Sequence, residues 1–265
     1  LSEQLSTQVI VENRTGADSL IASQAVARSV PDGYTLYVAS TAHAANQNMF
    51  KDANFDAVED FTHISMFTDV PNVVAVHPSL PVKTLGEFIE YAKVRKGELN
   101  YSSSASGTFL ATELFMRAAG IELERIPYKG AAPAIAALLS NDVQMTLTGI
   151  GGVAQYAEAG KLRILAVASP ERNALAPNVP TTHEAGLEHI SSTWYVLLGP
   201  AKIPGEIVDR INSETQKILA DPEFKQDLLR FGAIVRGSTS SELESFMRSE
   251  VEKWKSIILE TNSQQ

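Results

Sequence analysis

The sequence predicts an α/β fold with parallel strands, and three observations carry that prediction. Short apolar runs recur at LNYSS, LERIPY, VQMTLT and RILAVA, about 20 residues apart with helical patterns between them, the spacing of βαβ units. Helical segments stop on glycine: FMRAAG precedes IELERIPY, YAEAG precedes KLRILAVAS, and LLRFG precedes AIVRG. Glycine there supplies the left-handed residue that ends a helix. Two polar bends, NYSSSASGTFLATELF at Asn100–Phe115 and TLYVASTAHAAN at Thr35–Asn46, each follow an apolar strand and lead into a helix.

Other elements announce themselves locally. Thr84 with Glu87, and Thr239 with Glu242, fit capping boxes at helix starts, where the two side chains satisfy each other's backbone N–H groups. The last helix places Leu243, Met247, Trp254 and Ile258 at helical spacing, with Phe246 and Ile257 beside them. Such a stripe reads as core. Ile207, Ile211, Ile218 and Leu219 form a similar stripe behind Pro204. Phe61–Pro78 reads as two extended runs with a turn at Asp69–Asn72. There is no internal repeat or long linker, so two lobes would be joined by short crossings, placed at the strands around Leu99–Ser103 and Thr193–Leu198.

Composition sets limits on function. A chain of 265 residues, 44% of them hydrophobic, makes one large domain or two lobes with a real core. Its apolar runs are too short to span a bilayer. Asp and Glu number 31 against 22 Lys and Arg, a net charge of -9, with no basic stripe of the kind that binds nucleic acid. Without cysteine, disulfides, thiolate nucleophiles and cysteine metal sites are excluded. Leu1–Gln8 has neither a basic start nor an apolar core. The chain therefore reads as cytosolic, or as the mature or trimmed form of an exported protein.

The two bends carry the chemistry. The first N–H groups of a helix have no partner inside it, and with the helix dipole they favour an anion. Ser, Thr and Gly also occupy caps for purely local reasons, so one such bend is ordinary. Two of them, neutral and rich in hydroxyls, point to a site that holds a small carboxylate. Catalysis has little support. Ser104 or Ser106 would be the nucleophile, but there is no GxSxG elbow, HExxH pair or phosphate loop. His183 and Glu184 are adjacent and do not share a face.

The segments VIVENRTGA, PDGYTLYVASTAHAAN, VHPSLPVKTLGEFIEYAK, GELNYSSSASGT, IPYKGAAPAIAALL, AGKLRILAVAS, VPTTHEAGL and WYVLLGPAKIPGEIVDRIN follow in that order. Together they resemble the substrate-binding receptors of tripartite tricarboxylate transporters, the Bug-type periplasmic proteins, over almost the whole chain. The resemblance implies a two-lobed, type II periplasmic-binding fold, each lobe a mainly parallel sheet flanked by helices. Residues 1–100 and 193–265 would form the first lobe and 101–192 the second. It implies a monomer without a cofactor that closes on a mono-, di- or tricarboxylate or an aromatic acid and hands it to a membrane permease. A sensory receptor docking on a signalling partner would use the same cleft. Carried over by position, the first lobe contributes Ser40, Thr41 and His43. The second contributes Ser104, Ser106, Gly107 and Thr108, with Lys129 and Gly130 of PYKG at another helix start. His63, His77, His183 and His189 read as structural.

Two departures from the family pattern bear on specificity and stability. After VQMTLT the family commonly has aspartate and asparagine near the ligand, where this chain has Thr148 and Gly149. Losing that acceptor disfavours amino-acid ligands and favours plain or aromatic carboxylates. Family members also begin with an apolar strand and a proline–glycine loop, whereas this sequence starts at LSEQLSTQVIVEN. The expectation is a truncated start that leaves hydrogen-bonding groups of the first lobe unpaired. An N-terminally extended chain should then melt higher and bind more tightly; equal melting and affinity would reject that expectation.

Overall fold

The structure, a computed structural model, describes residues 1–262. Its helices in chain order are α1 (Ser2–Leu5), α2 (Leu20–Ala27), α3 (Thr41–Met49), α4 (Leu85–Lys93) and α5 (Ser106–Ala119). They continue with α6 (Ala131–Leu139), α7 (Ala154–Glu158), α8 (Gly205–Ala220), α9 (Pro222–Leu229) and α10 (Ser240–Asn262). The strands are β1 (Tyr37–Ser40), β2 (Phe61–Val76), β3 (Asn100–Ser103) and β4 (Glu124–Pro127). After them come β5 (Met145–Gly149), β6 (Arg163–Val167), β7 (Ser192–Pro200) and β8 (Ile234–Val235). The chain divides into two compact units, Leu1–Asp69 with Trp194–Asp227 and Val235–Gln265, and Val70–Thr193 with Leu228–Ile234.

In the second unit β3 runs parallel to both β4 and β5, with Ser103 opposite Pro127 and Ser102 opposite Thr146. β2 lies antiparallel to β5 and to β6. α5 and α6 are the crossovers β3–α5–β4 and β4–α6–β5, as the strand spacing predicts. Gly120 takes φ 65° to close α5. One group of buried side chains joins Val74, Phe88, Tyr101, Phe115 and Leu147; another joins Val73, Ile135, Leu138, Val143 and Ile150. Val73 and Val74 alternate between the two groups because successive strand residues point to opposite faces. Thr84 and Glu87 make the capping box of α4.

In the first unit β1 pairs antiparallel with β7, Ala39 opposite Val196, and β7 also pairs with β2. α8 packs Val208 and Ile211 against Ile64 and Leu197. α10 lies on α3 and buries Leu243, Met247, Trp254, Ile257 and Ile258, the stripe read from its periodicity. Its capping pair forms: Glu242 N–H donates to Thr239 Oγ1 at 3.2 Å and Thr239 N–H to Glu242 Oε2 at 2.8 Å. Glu250, itself buried, accepts both indole N–H groups, from Trp194 at 2.8 Å and Trp254 at 3.1 Å. Lys253 holds its other oxygen at 3.0 Å.

Four expectations need correction. The sheet is mixed rather than mainly parallel, because β2 and β7 each run antiparallel to a neighbour. Phe61–Val76 is one strand of 16 residues without a turn. A residue before proline favours extended backbone, so Val70–Pro71 continues the strand, and Asn72 N–H finds Ser191 O at 3.0 Å. Residues 70–100 belong with the second unit, since Leu80, Val82, Leu85 and Phe88 pack with Leu99 and Tyr101. The crossings accordingly fall at Asp69–Val70 and Thr193–Trp194, with two more at Asp227–Leu228 and Ile234–Val235, and none at Leu99–Ser103. The final residues of the first lobe as assigned from sequence, 263–265, lie outside the described residues.

Replacing Glu250 with alanine leaves two buried indole N–H groups without an acceptor. Each such orphan costs about 1–3 kcal/mol, so Glu250→Ala should lose roughly 2–6 kcal/mol in urea denaturation, with a change in tryptophan emission.

Candidate functional site

The parallel register of the second unit decides where its candidate residues lie. β3, β4 and β5 point the same way, so their carboxyl ends share one edge of the sheet, the edge at which open α/β sheets bind ligands. Ser104, Ser106, Gly107 and Thr108 follow β3, Lys129 and Gly130 follow β4, and Thr148 and Gly149 end β5. Tyr128 N–H donates to Ser103 O at 2.8 Å and ties the first two segments together. The sheet thus brings all eight residues of this group to one edge.

The start of α5 is unusual in its cap. The N-cap is Ala105, which has no side chain to accept from the N–H groups one turn in, the task of a Ser, Thr, Asp or Asn there. Among the described residues the N–H groups of Gly107 and Thr108 have no protein acceptor. Thr108 Oγ1 instead folds back, donating to Ala105 O at 3.0 Å and accepting from Ala105 N–H at 3.2 Å and Ser104 N–H at 3.3 Å. Its hydroxyl therefore shapes the bend, and the backbone is what remains available to a ligand. Ser106 is buried. α6 begins at an N-cap Gly130 with φ 104°, again without a side-chain cap. Lys129 is exposed and has no carboxylate partner among the described residues.

Several residues at this edge escape a reading by sequence. Arg125 lies in β4, its Nε donating to Ser103 Oγ at 2.8 Å and its guanidinium 3.9 Å from the centre of the Phe109 ring. Ser103 and Phe109 bracket the SASGT bend, so the cation is held beside it. An arginine in an exposed edge strand looks like a solvated charge; only the pairing of β3 with β4 locates it. Asn72 lies opposite Gly149, buried, with Nδ2 donating to Ser191 Oγ and Oδ1 accepting from Thr193 Oγ1, both at 3.4 Å. The residues around Asn72 resemble a turn in sequence, which hid its place at the strand ends.

In the first unit Ser40 is the N-cap of α3, yet its hydroxyl makes no bond to the helix. Thr41 is buried and its Oγ1 accepts from Trp194 N–H at 3.3 Å. His43 does not serve as a ligand donor. It is 0% exposed, its Nδ1 pairs with Ser23 Oγ at 3.0 Å and its Nε2 with Ala57 O at 3.2 Å. The ring stacks on Phe55 and meets Phe61 and Tyr37 edge-on. Helical periodicity, unseen when the residue is read as part of a loop, turns it inward. Among the described residues no group of three or more His, Cys, Asp or Glu is placed to hold a metal ion. No helix among them is long and apolar enough to cross a membrane.

An α/β protein with open helix amides at the carboxyl edge of a sheet fits the class of receptors that bind small anionic solutes, and the comparisons agree. The chain belongs to the tripartite tricarboxylate transporter family of receptors, whose sequence model matches residues 1–263. That family consists of solute-binding receptors, not enzymes. Protein BugT of Bordetella pertussis is 31% identical over 99% of this chain and 82% of its own length. An R. palustris protein solved with adipate superposes with a TM-score of 0.91 at 31% identity, covering 97% of this chain and 87% of that one. MatC of Rhodopseudomonas palustris, solved with bound malate, gives 0.88 at 26% identity over 97% and 90%.

Burial holds His43 at a pKa of about 4, below the 6.5 of a free imidazole. Above pH 6.5 neither the folded nor the unfolded state carries this proton, and stability is at its full value. As pH falls from 6.5 towards 4 the unfolded chain takes up a proton the folded chain refuses, and stability drops. His43 alone should remove about 2 kcal/mol by about pH 5. Urea melts at the two pH values check this, and His43→Gln, if folded, should flatten the slope.

Proposed function

We propose that this protein is an extracytoplasmic receptor that closes on a small organic carboxylate and delivers it to the permease of a tripartite tricarboxylate-type transporter. The observation that carries the reading is the uncapped start of α5, where Ala105 leaves the amides of Gly107 and Thr108 open to an external acceptor. A carboxylate is the simplest acceptor that fits two convergent N–H donors at a positive helix end. In the second unit Ser104, Ser106, Lys129, Gly130, Thr148 and Gly149 complete the ligand surface, with Arg125 added; the first unit's own candidates are Ser40 and Thr41, with His43 removed. The relatives solved with adipate and malate support carboxylates as the solute class.

The energetics are of the right size. A micromolar receptor needs about 8 kcal/mol net. A helix end supplies at most ~2 kcal/mol, and each hydrogen bond to a charged group ~1.5–3 kcal/mol. Several such bonds, with water excluded on closure, reach this scale once the entropy of association is subtracted. Neutral donors suit a receptor that must later release its cargo.

The test is Ala105→Asp. An aspartate at the N-cap accepts the same two amides and adds a negative charge. The apo protein should melt no lower than the parent, since a good cap contributes about 1 kcal/mol. Carboxylate affinity by calorimetry should fall at least about tenfold. Unchanged affinity for the carboxylate that a thermal-shift panel selects would sink this placement. Failure of the parent protein with mono-, di-, tricarboxylates and aromatic acids alike would sink the function itself.

A further inference from the structure

The two crossover helices of the second unit start on opposite faces of one sheet edge. α5 packs Phe115 with Val74 and Leu147, whereas α6 packs Ile135 and Leu138 with Val73. β3, which leads into α5, lies between β5 and β4, which leads into α6. The winding therefore reverses at this edge, the kind of point at which open α/β sheets take their ligands. We propose, resting on the carboxylate reading above, that the α6 side of the edge is a second anion subsite, formed by the Thr148 hydroxyl and the amides of Ala131 and Ala132, and that the solute is a dicarboxylate. One carboxylate sits at the start of α5 and the other at the start of α6.

Thr148 is the independent sign of a ligand. It lies opposite Val73 near the end of β5, and directly opposite residues of an antiparallel pair share a face. Its side chain therefore stands on the α6 face. The residue is only 8% exposed, yet its Oγ1 has no hydrogen-bond partner among the described residues and, unlike the neighbouring Ser102 Oγ, is not sealed from solvent. Thr146, two residues earlier on the same face, donates its hydroxyl to Ser102 O at 3.3 Å. A nearly buried hydroxyl without a protein partner is costly unless something else takes its proton. At the carboxyl end of its strand, this one opens on the ligand edge.

α6 supplies the matching charge. Gly130, its N-cap, has no side chain, and its own N–H goes to Tyr128 O at 3.0 Å. Pro133 has no N–H to offer. Of the amides that a helix start leaves open, those of Ala131 and Ala132 remain, and neither has a protein acceptor among the described residues. Both residues are exposed, and no Asp or Glu occupies the first turn. α6 packs on β3 and β5 and runs back from their carboxyl ends, which places its positive end on the Thr148 side of the sheet. A second carboxylate would meet three donors there; an ammonium group would meet no acceptor from them.

Calorimetry on the whole chain compares succinate with butyrate, glutarate with pentanoate and adipate with hexanoate, alongside the half-amide of each dicarboxylate. In at least one set the dicarboxylate should bind at least about tenfold more tightly than both its monocarboxylate and its half-amide. Thr148→Val, similar in shape but without the hydroxyl, should reduce that preference at least about fivefold, and Thr148→Ser should keep most of it. Ala131→Asp, an exposed position where an acid suits the helix start, should reduce it as well. Equal binding of dicarboxylate and monocarboxylate, equal binding of the half-amide, or a preference undiminished in either folded variant would overturn the subsite and leave the carboxylate reading standing. If none of these acids binds, the subsite falls, and failure of the wider carboxylate panel removes the underlying reading too. Should Thr148→Val not fold, Ala131→Asp decides.

Discussion

The feature on which the rest depends is the shared direction of β3, β4 and β5. Their register puts the ends of three strands, and the starts of the helices that follow, along one edge of the second unit. A helix start is attractive to an anion only if its amides are left open. Ala105 leaves them so, while the Thr108 hydroxyl holds the bend in shape. The side chain of Thr108 is thus spent on the bend, while the backbone N–H groups of the same short segment stay without a protein acceptor. Arg125 is fixed beside that segment by a hydrogen bond and a ring contact, adding positive potential without displacing the neutral donors.

Polar groups elsewhere in the protein are spent on holding these elements in place. In the first unit a buried carboxylate, Glu250, satisfies two tryptophans from β7 and α10. His43 joins α2 to α3 within a cluster of aromatic rings. Each group is buried and each has its partners, the condition under which buried polarity adds specificity rather than cost. Five buried side-chain atoms among the described residues lack a partner: Asn48 Nδ2, His63 Nε2, Asp69 Oδ1, Ser102 Oγ and Thr215 Oγ1.

The comparison of sequence with structure separates two kinds of information. Local chemistry was legible: the Thr84–Glu87 and Thr239–Glu242 caps, the left-handed Gly120 and the apolar stripe of α10 all stand where periodicity put them. Helix starts were legible too, which is why Ser40, Ser104 and Gly130 could be named. The direction of a side chain within a bend was not, as His43 shows: the same residue read as a loop donor is a core group once its turn is helical. The extended path through Val70 and Pro71 was also lost, because proline between Asp, Val and Asn looks like a turn until a neighbouring strand supplies its hydrogen bonds.

By itself the sequence determined the element types, the βαβ order and the family, since these follow from periodicity, capping and motif order along the chain. Tertiary structure alone decided that residues 70–100 join the second unit, that Arg125 stands beside the SASGT bend, and that His43 is enclosed while His63 borders a cavity. The physical reason is that each of these depends on which strands pair and which helix faces meet, and that choice is made by contacts between residues far apart in the chain.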